Sequence, residues 1–177
     1  MRQTQRILAL APGTRHLGSA EFEGEDLVRF GVKTFPGKKT RVTHLPKLNE
    51  YLEKLFAAHN PQVVVVEELY YAQASLSPLL RAQIDAIKRW CKRRGLRVLQ
   101  YRPTTAKEHF CKGKRTRRAL AEAMVRRYWF LASFLKHTHT PRAQQYWQQM
   151  FDAVALGALA VQGLKTRSVG FGQDRDR

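Results

Sequence analysis

The apolar residues alternate between short runs and helical spacing as far as Tyr101, and beyond it keep helical spacing alone. Arg6 to Ala11 is an apolar run stopped by Pro12-Gly13, which reads as a strand closed by a turn. Leu17–Glu23 and Asp26–Phe35 read as two further strands, joined by a link short enough for a hairpin. A helix is expected from about Leu45 to Asn60, with Leu48, Leu52, Leu55 and Phe56 as its apolar stripe and Pro46 in its first turn. The run Val63-Val64-Val65-Val66 after Asn60-Pro61 reads as a strand buried on both faces. A second helix covers about Ser75 to Arg94, with Leu76, Leu80, Ile84, Ile87 and Cys91 at helical spacing and Gly95 at its end. Leu96–Tyr101 alternates as a fifth strand, and Pro103 opens a short helix. A helix from about Thr116 to Leu135 and a last one from about Arg142 to Leu164 complete the ordered part. The order is β-β-β-α-β-α-β followed by helices. It predicts an α/β fold in one domain over residues 1–164, with a five-stranded mixed sheet and a disordered polar tail over 165–177.

Charge sharpens this picture. Lys and Arg number 32 against 14 Asp and Glu, a formal +18 with a pI near 10.6. Such a field favours a polyanionic partner, and no apolar run approaches the roughly 20 residues of a membrane span, which leaves nucleic acid ahead of a membrane. The two cysteines, Cys91 and Cys111, form neither a disulfide framework nor a zinc spacing. With an N-terminus that leads into a strand, they predict a reduced, cytoplasmic protein.

The valine strand runs into Glu67, Glu68, Tyr70 and Tyr71. In open α/β sheets functional groups gather beyond the carboxyl ends of parallel strands, so an acid there suits metal chemistry. By itself it is equally the polar end of a buried strand. Asp152 stands alone in an apolar, small-residue helix, where it either binds a metal, pairs with an arginine or faces solvent. Two-metal phosphodiester hydrolysis needs carboxylates converging on hard cations held about 3.5–4 Å apart. Lys112 to Arg118 carries five cations in seven residues and suits phosphate contacts, and Lys88–Arg97 is a second basic cluster. His16, His109 and the His137/His139 pair are weak candidates for metal or phosphate contact, and Trp90, Trp129 and Trp147 suit core or dimer packing.

Taken together, Ile7–Gly18, Val64–Ala72 and Asp152–Leu156 resemble, in order, three motifs of the RuvC-type Holliday junction resolvases, and the likeness spans about residues 6–163. It implies a ribonuclease H-like fold: three antiparallel strands plus two parallel ones, flanked by helices. It implies a homodimeric endonuclease that makes paired nicks in four-way or branched DNA with two Mg²⁺ or Mn²⁺ ions per active site. Of that family's acidic tetrad, Glu67 and Asp152 are present as metal ligands, with Glu68 a lesser candidate. Ala11 stands where the strand-one Asp is expected, and Gln149 where another acid is expected. Tyr70, or Tyr71 in its place, matches an aromatic that probes bases near the crossover. Lys107, Lys112, Lys114, Arg115, Arg117 and Arg118 match a phosphate-contacting segment, with Lys107 and Arg118 at its important lysines.

A methyl group at position 11 binds no cation, so cleavage is expected to be lost. An engineered inactivation and a natural protein that binds junctions without cutting both fit. The intact Pro12, Gly13, Thr14 and Gly18 favour the first. A nuclease of the same fold directed at RNA or hybrids is the other alternative. A sugar-kinase-like ATPase would need later phosphate-binding glycine loops, which are missing from the sequence.

Overall fold

The structure is a computed structural model that describes residues 4–36, 40–68, 77–137 and 140–170. Its centre is a five-stranded sheet of β1 (Arg6–Pro12), β2 (His16–Glu23), β3 (Asp26–Thr34), β4 (Val63–Glu67) and β5 (Arg97–Tyr101) in the order β3-β2-β1-β4-β5. β1–β2 and β2–β3 are antiparallel, and β1–β4 and β4–β5 are parallel, which is the mixed sheet expected from the strand order.

Side-chain alternation assigns the faces. Leu8, Leu10, Val64 and Val66 point to the layer formed by α1 (Arg41–His59) and α2 (Pro78–Arg93). Ile7, Ala9, Ala11, Val63 and Val65 point to the other layer. There lie α3 (Pro103–Phe110), α4 (Arg117–Arg127), α5 (Ala132–Lys136) and the long α6 (Pro141–Gly170). The central strands are thus apolar on both faces, and each buried Val or Leu contributes about 1.5–3 kcal/mol. A clamp where β4 begins sets its pairing with β1. The Arg6 backbone N–H donates to Gln62 Oε1 at 3.0 Å, the Gln62 N–H donates to the Arg6 carbonyl at 2.9 Å, and Arg6 Nε donates to the Asn60 carbonyl at 2.9 Å.

Helix α6 lies directly on β1 and β2 because small residues let it approach. A Cβ placed on Gly18 would sit 1.9 Å from the Gln149 carbonyl oxygen, and one on Gly157 would sit 2.1 Å from Phe22 Cε2. That contact holds the start of α6 over the carboxyl end of β1.

Several boundaries differ from expectation. α1 begins at Arg41, where Thr40 caps it by accepting from the Thr43 N–H at 3.3 Å, so Pro46 lies inside the helix and not in its first turn. The helix expected over 116–135 breaks at Tyr128, and a 3-10 turn over Trp129–Leu131 separates α4 from α5. The final helix continues to Gly170, past the expected end at Leu164. Trp90 is core and Trp147 packs on Phe134, but Trp129 is 80% exposed on this chain, which corrects the core assignment. Among the described residues no helix is long and apolar enough to cross a membrane.

Candidate active site

Strand alternation decides which of the tandem acids faces α6. β4 pairs Leu10 with Val66, and one further step of that register sets Ala11 beside Glu67. Glu67 shares its face with Val63 and Val65, the α6 side. Glu68 is not brought there. Its N–H continues the ladder to the Tyr101 carbonyl at 2.8 Å, and its exposed carboxylate lies 3.7 Å from Arg102 Nε. The lesser metal ligand named from the sequence therefore stands outside the cleft.

That cleft, of about 260 Å³, opens between the β1–β2 turn, the end of β4, α3, α4 and α6. Helix α6 contributes Gln145, Gln149, Asp152 and Leu156, whose spacings of four, three and four residues lie on one helical face. Glu67 comes from β4, Lys107 from α3 and Arg117 from the first turn of α4. The turn supplies Gly13 and Thr14. Its shape is fixed by the Gly13 N–H donating to the His16 carbonyl at 2.8 Å and by buried Gln83, whose Nε2 donates to the Gly13 carbonyl at 3.2 Å. A Cβ on Gly13 would come within 3.0 Å of the Gln149 amide, so Gln149 is packed directly on this turn.

Glu67 and Asp152 perturb each other. Burial, and after it the Asp152 charge, push the Glu67 carboxyl up to about 8, and Arg117 and Lys107 only partly offset this. Asp152 is raised by burial too, against a hydrogen bond donated by Gln148 Nε2 at 2.8 Å and the same two cations. Both acids are thus held above the usual carboxylate range, and their electrostatics favour a bound cation. Its oxygens, with the Gln149 amide oxygen at hand, are the hard donors that Mg²⁺ and Mn²⁺ take. Among the described residues no group of three or more His, Cys, Asp or Glu side chains forms a metal site. Ala11 is fully buried in the apolar cluster. Two carboxylates and an amide oxygen would fit a divalent cation, to which the methyl group of Ala11 adds no donor.

The basic segment divides. Lys107 and Arg117 reach the cleft. Arg115 pairs with Glu108 at 3.3 Å and Arg118 with Glu122 at 2.8 Å, both on the surface, while Lys112 and Lys114 are exposed. Tyr70, Tyr71 and His139 lie outside the described residues. His16 Nδ1 lies 2.9 Å from Thr34 Oγ1, and His109 pairs with Gln162. Sequence reasoning missed Gln83, Gln145 and Gln148. The last two were marked by helical spacing from Asp152, and Gln83 by its place as a polar residue on the apolar stripe of α2.

This fold, with acids meeting at the ends of its central parallel strands, defines the ribonuclease H-like class. Thermus thermophilus RuvC, solved with a Holliday junction substrate, matches with a TM-score of 0.67 at 17% identity, covering 93% of this chain and 96% of that one. The yeast mitochondrial Holliday junction resolvase matches with a TM-score of 0.61 at 14% identity, covering 95% and 83%. No family model matches the chain. The crossover junction endodeoxyribonuclease RuvC of Thermomicrobium roseum is 30% identical over 125 residues, 68% of this chain and 77% of the relative. The chain belongs to the RuvC family.

Proposed function

We propose that this protein binds four-way DNA junctions on a RuvC-type nuclease site, in recombination and repair, and that the residue at position 11 decides whether it cuts them. The observation that carries this reading is the meeting of Glu67 and Asp152 with Lys107 and Arg117 in one cleft. Two carboxylates raised by burial, beside two cations that reach the same space, suit a phosphodiester held with a divalent ion.

Lys107 and Arg117 hold the non-bridging phosphate oxygens and position the strand without reading its sequence. Glu67 and Asp152 would hold Mg²⁺ or Mn²⁺, with the Gln149 amide oxygen beside them. An ion bound there supplies Lewis-acid activation of the phosphodiester. Gln148 keeps the Asp152 carboxylate turned towards the cleft. The full two-ion site needs a third carboxylate, which Ala11 lacks, so the chain as it stands binds without making the paired nicks. A homodimer, one site per strand, suits the two-fold junction.

The test uses Ala11→Asp protein beside the unmodified chain, on a four-way junction, a linear duplex and an RNA–DNA hybrid, with Mg²⁺ and with Mn²⁺. The expected result is junction-selective binding by both and metal-dependent nicking of the junction by Ala11→Asp alone. Binding no tighter to junction than to duplex, a preference for the hybrid, or an uncut junction with the Ala11→Asp protein refutes the reading.

A further inference from the structure

A second hollow, of about 520 Å³, adjoins the cleft between the β1–β2 turn and the first turns of α6. Thr14 and Gln145 line both, so a chain lying in one continues into the other. Arg15 reaches it from the turn and Arg142 from α6, and none of its lining residues is acidic. Neither guanidinium forms an ion pair among the described residues, although Arg29, Arg94, Arg102, Arg115 and Arg118 all do. The back wall is already fixed. The Tyr146 hydroxyl donates to the Val32 carbonyl at 3.4 Å, and its ring stands edge-on to His16 with centroids 5.3 Å apart.

We propose that this hollow is a second phosphate subsite: Arg15 and Arg142 hold a backbone phosphate of the bound DNA strand, next to the phosphodiester in the cleft. This rests on the functional reading above and extends it. Lys107 and Arg117 meet the strand in the cleft with the acids, and Arg15 and Arg142 meet it where it runs on past Thr14 and Gln145. Two guanidiniums without an ion pair among the described residues, one on the turn and one on α6, match the fork geometry that favours Arg at phosphates. Anchoring the strand at two neighbouring phosphates fixes its register over Glu67 and Asp152, which a single contact does not.

The test is junction binding by fluorescence anisotropy over a range of salt, with the Arg15→Gln/Arg142→Gln double variant. The control is Lys47→Gln/Lys54→Gln, which removes the same formal charge from α1 on the opposite face of the sheet. Neutralising one phosphate contact makes the log–log salt dependence shallower by about 0.9. The arginine variant is expected to show that change with an affinity loss of about tenfold or more, and the control to keep the parent slope and affinity. Arg15→Lys/Arg142→Lys should restore the slope but not the full affinity, because it returns charge without the fork. Equal losses in the arginine variant and the lysine control overturn the subsite, as does no loss in either. An unmodified protein that binds junction and duplex alike, yet loses slope only with the arginine variant, keeps the subsite and refutes the junction reading. No DNA binding at all refutes both.

Discussion

Replacing Gly18 by Ala tests whether the cleft depends on how closely α6 approaches the sheet. The added Cβ would lie 1.9 Å from the Gln149 carbonyl oxygen, 2.2 Å from its carbonyl carbon and 2.9 Å from the Met150 nitrogen. All three are backbone atoms of α6, so no side chain can swing aside. Restoring ordinary contact near 3.5 Å requires a shift of about 1.5 Å between helix and strand. α6 buries Met150, Phe151, Ala153, Val154 and Ala155 against that surface, and lifting it opens the whole layer. Overpacking costs about 1–3 kcal/mol, and backbone against backbone belongs at the upper end. For a chain of this size that is a fall of roughly 6–12 °C in melting temperature. The same lift carries Gln149 and Asp152 away from Glu67, so Mn²⁺ affinity should fall with it. Calorimetry and Mn²⁺ titration measure both effects. Gly31→Ala is the control, since a Cβ there has nothing within 4 Å. A Gly18→Ala protein that melts with the parent and binds Mn²⁺ equally well would show that α6 is not what gathers the site.

Gln148→Leu removes the donor to Asp152. It should weaken Mn²⁺ binding by about 10–100-fold, the usual cost of losing a supporting hydrogen bond, and an unchanged titration would assign Gln148 to packing alone. The raised Glu67 carboxyl gives a sign to the pH dependence. Its contribution to metal-free stability is full below its ordinary value of 4.5 and is lost as pH rises through about 8. A divalent ion competes with that proton, so stabilisation by Mn²⁺ should grow from pH 6 to 8.5 and vanish in Glu67→Gln. Melting curves with and without Mn²⁺ decide it, and a stabilisation that shrinks with pH contradicts the assignment. On the other face of the sheet, His59 Nδ1 lies 3.4 Å from Glu21 Oε2, both side chains being buried. His59→Ala leaves the buried Glu21 carboxylate to Arg29 alone, 3.7 Å away, and should cost about 1–3 kcal/mol in urea unfolding, most of it recovered by adding Glu21→Leu. A loss well below about 1 kcal/mol would mean that Arg29 by itself satisfies the carboxylate.

Much of this fold was legible because its elements obey simple periods. Turn residues separate the first three strands, the valine run can only be a strand buried on both faces, and the helical stripes are regular. The convergence of Glu67 and Asp152 was legible only through the ordered motifs, since neither acid is distinctive alone. What escaped the sequence was set by tertiary contact. A continuous apolar pattern concealed the break at Tyr128, whose ring packs edge-on against Phe22 at 6.1 Å while Trp129 turns outward. The start of α1 was hidden because its cap, Thr40, follows a basic stretch that reads as loop. The division of the basic segment was equally invisible. Arg117 and Arg118 are neighbours in sequence, yet one enters the cleft and the other meets Glu122 one helical turn on.

The uniform valine strand has one more consequence. Val63 to Val66 are chemically identical, so the run by itself does not mark its own frame. A slide of one residue that carried Glu68 to the cleft would push Glu67 into the place of Val66, fully buried in the apolar layer under α1 and α2. At the other end it would pull Gln62 and Asn60 away from Arg6. Which of the two acids enters the cleft is therefore fixed from both ends of a strand whose middle carries no mark of register.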